Sequence, residues 1–325
     1  MLPRFSQTTG FTLIEFIASL SLGLSLVAGV LVIFLQTNRS AIQDEEIARV
    51  LENGRFLLRL LSREMAMAGF WGKIVDAGAI TLHSSVGVGQ DCGDGNAGIW
   101  AVEPVAMEFL DDVNSGDVAS NFECLPAAAV RVDTDVIAIK RTADANTKDA
   151  AIVENQLYLR SAGSRGEVFL GRGVSTPPLP DYAATNWAVM PQVFYIRDYS
   201  IYPGDSIPAF CRAFLDSSAS PDMRNECLVE GVENLQIEFG VDTDSDWMVN
   251  YYDPSPTTAE IQESVSARIH ILVRSVNVIP GYINDKSFAL GLTRLVAAND
   301  GYYRRVFSST VLLRNPTELV GLGMH

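Results

Sequence analysis

Gly10-Phe11-Thr12-Leu13-Ile14-Glu15 opens an apolar run that continues to Leu35 and holds one charge, Glu15. Its 25 residues, at about 1.5 Å of rise each, make a helix of roughly 37 Å, enough to cross a hydrocarbon core of about 30 Å. A carboxylate inside such a segment costs about 2.5–3.5 kcal/mol at the bilayer centre on insertion scales and persists only with a partner. The nearest partner the sequence offers is an amine at Phe11, one helical turn back, which exists only if the chain is cut after Gly10. Before the run lies a polar leader, Met1 to Thr9, with one basic side chain, Arg4. A secretory signal would have a shorter apolar core followed by a small-residue cleavage site; here Ala28-Gly29-Val30 falls inside the run. A plain membrane anchor accounts for the run but leaves Glu15 and the Gly-Phe junction unexplained. Arg39, Arg49 and Arg55 follow the run, so the distribution of basic residues says little about orientation.

The helix is expected to continue past the membrane. Gln36 to Ala68 holds no proline and one glycine, Gly54. Ile47, Leu51, Leu58, Leu61, Met65 and Ala68 recur at helical spacings and mark one apolar stripe. Arg49, Glu52, Arg55, Arg59, Arg63 and Glu64 fall largely off it, and Gly69 is a stop signal. The stripe is too short and irregular for a free coiled coil, so it is expected to pack on a sheet of the same chain.

The chain has 325 residues and a net charge of −15, which gives nucleic acid no electrostatic footprint to bind. Four cysteines, Cys92, Cys124, Cys211 and Cys227, all lie beyond the apolar run, and none forms a CxxC pair. An even count on an exported domain points to two disulfides in an oxidising compartment. Three connectivities are open; Cys92–Cys124 and Cys211–Cys227 are favoured because each closes a local loop.

Between Asp76 and Asn121 glycines and polar residues predominate, which reads as loops around Cys92. Seven runs then carry strand character: Val130–Arg141, Gln156–Arg160, Glu167–Leu170, Trp187–Ile196, Leu228–Phe239, Ala267–Val278 and Arg304–Leu313. Gly173 to Pro180 reads as a rigid loop. The expected fold is α+β, with one long N-terminal helix on a largely antiparallel β-sheet domain with long loops. Its parts are a leader (1–10), the transmembrane half of the helix (11–35), its amphipathic half (36–70) and a β-rich globular domain (71–325).

Gly10, Phe11 and Glu15, with the apolar run behind them, resemble the class III signal of type IV prepilins. In that signal a dedicated prepilin peptidase cuts after the glycine and N-methylates the phenylalanine. Leu51-Glu52-Asn53-Gly54-Arg55-Phe56, continuing to Ala68-Gly69-Phe70, resembles the second helical half of PilW-type minor pilins. Tyr303-Arg304-Arg305-Val306-Phe307-Ser308-Ser309-Thr310-Val311, with Leu313-Arg314-Asn315, resembles their final strand. The related J-type pseudopilins of type II secretion share the first motif and a similar close. The resemblance implies a non-enzymatic pilin-like protein, anchored in the inner membrane with its C-terminal domain in the periplasm. It would then join the pilus, at the tip, with other minor pilins, the major pilin and a tip adhesin, and help prime assembly. Glu15 would pair with the Phe11 amine of a neighbouring subunit and fix axial register, a role that suits a buried ion pair better than stabilisation does. Residues 75–225 carry no motif that can be placed.

Two other classes compete with this reading. An enzyme finds little support: His83, His270 and His325 lie far apart, and no GxSxG, HExxH or P-loop pattern occurs. An anchored binding module would use Trp71, Trp100, Trp187 and Trp247, residues more often found in cores. One segment suggests a cofactor. Counting Asp242 as position one, Asp242, Asp244, Asp246 and Asp253 fall at one, three, five and twelve of an EF-hand-like loop. Met248 would offer its carbonyl at seven and Asn250 its amide at nine to a Ca2+ ion. Trp247 stands at position six, where the sharp turn favours glycine, and the competing expectation is a solvated acidic hairpin.

Overall fold

A computed structural model of the chain describes residues 10, 12–74, 76–84, 86–93, 100–171 and 184–314. The leader, Phe11, the proline loop from Gly173 to Pro180 and His325 lie outside the described residues.

One helix, α1, runs unbroken over Leu13–Met67, 55 residues. Its chain turns away at Gly69, whose φ of +70° favours glycine. The Gly69 N–H then bonds the Lys140 carbonyl at 3.0 Å, so the helix end is tied to the sheet. Residues 13–45 are exposed on every side, and burial begins at Glu46. The first half is apolar enough and long enough to cross a membrane.

The buried face of the second half is Val50, Gly54, Leu57, Leu61, Glu64, Met65 and Ala68. This is the expected stripe turned by about one residue: Ile47, Leu51 and Leu58 are half-buried at its margin. Gly54 explains the turn. A Cβ there would stand 2.3 Å from ring carbons of Phe307, so the ring lies directly on the helix backbone. Glu64, expected outside, belongs to the face because a cation meets it there.

Among the described residues, fifteen strands, two short α-helices and four single-turn 3-10 helices follow. The strands in chain order begin with β1 (Ile80–Leu82), β2 (Met107–Leu110), β3 (Val136–Ile139), β4 (Leu157–Ala162) and β5 (Arg165–Leu170). Next come β6 (Thr185–Ala188), β7 (Gln192–Arg197), β8 (Ala209–Asp216), β9 (Asp222–Glu230) and β10 (Val232–Val241). The last are β11 (Tyr251–Asp253), β12 (Ser264–Arg274), β13 (Phe288–Leu290), β14 (Thr293–Leu295) and β15 (Arg304–Leu312). Helix α2 is Ser115–Asn121 and α3 is Thr258–Gln262.

Helix α1 lies on a four-stranded antiparallel sheet of order β11-β10-β12-β15. Side chains alternate across a strand. Leu235, Ile237 and Phe239 of β10 and Ala267, Ile269, Ile271 and Val273 of β12 therefore share a core with Leu57, Leu61 and Met65. A five-stranded antiparallel sheet, β2-β3-β7-β8-β9, closes that core from the other side with Ile137, Ile139, Phe194, Ile196 and Phe210. Its opposite face, with Val136, Ala138, Val193 and Tyr195, builds a second core with Trp71, Trp100, Leu157, Leu159 and Val168. The last three come from a sheet of order β1-β5-β4-β6, in which β1 and β5 are parallel. Strands β13 and β14 form a separate hairpin.

Three expectations need correction. The segment from Asp76 to Asn121, expected as loops, holds β1, β2 and α2. Trp187–Ile196 is not one strand: β6 and β7 belong to different sheets, and Pro191, which has no N–H to give a ladder, separates them. Leu228–Phe239 is broken by Gly231 at φ +79°, where a Cβ would meet the Arg274 carbonyl oxygen at 2.5 Å. That turn carries the chain from the five-stranded sheet to the helix-bearing one.

Both disulfides join the favoured pairs, Cys92–Cys124 and Cys211–Cys227. Cys211 and Cys227 stand opposite each other on β8 and β9, so this bridge staples neighbouring strands. Cys92–Cys124 ties a loop to the segment after α2 and lies in the second core.

Candidate functional site: the helix start, its anchor and the acidic hairpin

Gly10 is exposed, and no atom lies within 4 Å of where its Cβ would stand. Glu15 also faces solvent, but its carboxylate has a partner the sequence analysis did not assign. Its Oε2 accepts the Thr12 N–H and the Thr12 hydroxyl, each at 2.9 Å, while the Glu15 N–H donates to Thr12 Oγ1 at 3.4 Å. This is a reciprocal capping box, and the Thr-x-x-Glu signal for it was present in the sequence. Within a single chain, Glu15 therefore begins the helix; Phe11, its expected amine partner, lies outside the described residues.

Two buried carboxylates fix where the helix joins the domain. Glu46 accepts the N–H groups of Val276 and Asn277 at 3.1 and 3.4 Å and the Asn277 side-chain amide at 2.7 Å. Eighteen residues on, Glu64 receives Arg141 in a two-pronged pair at 2.7 and 2.8 Å, plus the Gln192 amide at 2.9 Å. Gln192 in turn accepts from Arg212, which pairs with Glu226. Arg141 and Glu64 side chains are only 4% and 6% exposed, so each charge depends on the other. Glu64 sits in the Leu60-Leu61-Ser62-Arg63-Glu64 stretch, but its partner is 77 residues away and no local pattern announces it.

The acidic segment folds differently from the expected ion-binding loop. Strand β10 runs to Val241 and pairs with β11, Val241 opposite Tyr251 and Phe239 opposite Asp253. Residues 242–250 thus close a hairpin, and Asp253 is carried into the sheet, where it accepts the Ser255 N–H at 2.9 Å. Asp242, Asp244 and Asp246 do come together, with oxygens within 4.8 Å of one another. Two of the three carboxylates accept hydrogen bonds from the loop itself. Asp242 accepts the N–H groups of Asp244, Asp246 and Trp247, and Asp246 accepts that of Met248. Asn250 is turned onto Thr243, accepting its N–H at 2.7 Å. Trp247 adopts φ +67°, the left-handed conformation that position six requires, without being glycine. Three of the six expected ligands, Asp242, Asp244 and Asp246, therefore gather, and the expected twelfth, Asp253, stands in β11 opposite Phe239.

Sequence reasoning also missed what β-sheet register brings together. His270 on β12 lies opposite Ser308 on β15 and beside Glu238 on β10. These line a cavity of about 480 Å3 with Arg268, Gly291 and Leu292. His270 Nδ1 and Ser308 Oγ are 2.8 Å apart, but His270 Nε2 stands 3.7 Å from Glu238, outside hydrogen-bond range. Glu238 spends its other oxygen on the Leu292 N–H at 3.0 Å. The group pins the β13–β14 hairpin to the sheet and does not form a relay that could activate the serine. Burial lowers the His270 pKa against the pull of Glu238, which keeps the ring neutral near pH 7. His83 lies far off in sequence after β1. Trp71, Trp100 and Trp187 are core residues, 5%, 6% and 8% exposed; only Trp247 of the four tryptophans is displayed.

No curated protein matches the chain. A type IV-like pilin from Thermus thermophilus aligns in three dimensions over 82% of this chain and 96% of its own, with a TM-score of 0.38 and 10% identity. Residues 193–315, from β7 through β15, match the family model of type IV pilus-assembly protein W.

Proposed function

We propose that the chain is a PilW-type minor pilin of the type IV pilus system, held in the inner membrane by the first half of α1 until it is drawn into a fibre. The observation that carries this reading is one continuous helix with two environments. Its first 33 described helical residues are exposed and mostly apolar, with a carboxylate near the start. Its second half is built into a β domain whose C-terminal part matches the pilus-assembly family. A helix that is apolar all round must be covered by lipid or by other helices. Moving between those two surroundings costs little, which is what polymerisation out of a membrane requires.

In this reading the domain lies in the periplasm, where its disulfides form. The prepilin peptidase cuts between Gly10 and Phe11 and methylates the new amine. The protein primes assembly beside other minor pilins, the major pilin and a tip adhesin, and it remains at the tip. Its role is structural, not catalytic. The test is deletion of the gene, followed by electron microscopy of the cells and assay of secreted proteins. The expected result is loss of surface fibres, restored by this chain. Normal fibres with a secretion defect would transfer it to the J-type pseudopilins.

A further inference from the structure

The contacts of α1 define which end of the domain faces the bilayer. Glu46, the first buried residue, bonds the backbone just after β12, and Asn53 donates to the Glu230 carbonyl at the end of β9. Glu64 bonds at the opposite end, where β7 begins. The apolar half of the helix therefore leaves the domain beside the β7–β8 loop, the Gly231 turn and the segment after β12. Hydrogen bonds join these pieces: Gly231 N–H to the Pro208 carbonyl, Arg274 to the Ser206 carbonyl, and Ser200 Oγ to Glu230.

This end presents apolar side chains outward: Ile201 is 67% exposed, Tyr202 73%, Val278 53% and Ile283 70%. The loops that carry them are held in shape. Asp205 accepts the N–H groups of Ser200, Ile201, Tyr202 and Ile207. Arg197 stacks 4.2 Å from the Tyr199 ring and bonds the carbonyls of Tyr199 and Ser200. In the other loop, Ile279 and Asn284 bond the carbonyls of Gly301 and Asp300 at 2.9 and 2.7 Å. Ser200 and Asn284 are turned inward, while Ile201, Tyr202, Val278 and Ile283 face solvent beside the exposed Asp198, Asp285 and Lys286.

We propose that this end of the domain, through Ile201, Tyr202, Val278 and Ile283, seats on the headgroup layer of the bilayer in which the chain is anchored. The inference rests on the membrane-spanning reading of α1. The chain itself tethers this surface to the bilayer, which raises the effective concentration of that one partner above all others. Contact requires a tilt. Residues 36–45 of α1 rise about 15 Å, and the headgroup layer extends roughly 5–7 Å beyond the hydrocarbon. The apolar run is about 7 Å longer than the core, a surplus that helices accommodate by tilting. The sheets lie to one side of α1, so a tilt toward them lowers these loops onto the surface. Apolar and tyrosine side chains are the types that partition there.

The test uses the full-length chain, one copy per nanodisc of phosphatidylethanolamine and phosphatidylglycerol, doped with one phospholipid bearing a diazirine at its headgroup, which reports on the loops, and one bearing it along an acyl chain, which reports on residues 13–35. After irradiation, labelled peptides are mapped by mass spectrometry. Label is expected within residues 13–35, which checks the anchor, and also on the peptides holding Ile201–Tyr202 and Val278–Ile283. The double variant Ile201→Asp, Tyr202→Asp changes exposed side chains, so the fold is kept. It should lower labelling of both loops at least about tenfold, the effect of losing roughly one buried apolar side chain, and leave residues 13–35 unchanged. Label within 13–35 but no more on these loops than on the hairpin at 242–250 would overturn the proposal and leave the anchor standing. No label within 13–35 would overturn both. Loop labelling that is unaltered by the double variant would also overturn it.

Discussion

Glu15→Val should insert into the membrane at least as well as the parent chain and fail to restore fibres to a deletion strain. The substitution removes a carboxylate whose cost in lipid reaches about 2.5–3.5 kcal/mol at mid-bilayer, so insertion has nothing to lose. It also breaks the capping box with Thr12, where a cap is typically worth about 1 kcal/mol. That loss is small beside the packing that holds the second half of a 55-residue helix. What remains is the pairing proposed with the amine of a neighbouring Phe11. A helix moving from lipid into a bundle gains little from apolar contact alone, so a single charge pair can set axial register. The capping box supplies the control: Thr12→Val loses the cap and keeps the carboxylate, and it should still build fibres. Membrane fractionation and fibre counts on the two variants decide the matter. Normal piliation by Glu15→Val, or equal failure by Thr12→Val, would remove the register role.

The second large effect is expected at the far end of the helix. Glu64→Ala leaves Arg141 buried, 4% exposed, with no countercharge. Breaking a buried pair by removing one partner costs about 3–5 kcal/mol, a large part of the stability of an ordinary domain. Gln192 loses an acceptor too, so the loss extends toward Arg212 and Glu226. Chemical denaturation of the full-length chain in detergent, followed by tryptophan fluorescence, should show the midpoint fall. Replacing both partners, Glu64→Met with Arg141→Met, should recover most of it, because no charge is then stranded. A single variant as stable as the parent would show that the pair does not hold the helix to the sheet.

Much of the architecture was legible because it is local. The helix start, its unbroken course past the membrane segment and its stop at Gly69 follow from hydropathy, the absence of proline and a glycine at φ +70°. The favoured disulfides join residues 32 and 16 positions apart, and short loops close easily. What was misread depends on distant partners. The buried face is centred on Gly54 because Phe307 lies against it, and no helical period reports a ring 253 positions away. Glu64 counts as a surface charge until Arg141 is placed beside it. The acidic segment carries an ion-binding spacing, but its hairpin closure, with Asp253 in β11 opposite Phe239, depends on a strand pairing that the spacing does not report. The Thr12–Glu15 box is legible in the sequence because its two members are three residues apart.

The central claim is that this chain is processed at Gly10–Phe11 and delivered as a pilin, and intact-mass analysis of the protein from native membranes tests it most directly. The expected mass is that of a chain beginning at Phe11, less four hydrogens for its two disulfides, plus one methyl group on the terminal amine. An uncut chain, recovered from cells that contain an active prepilin peptidase, would contradict the account.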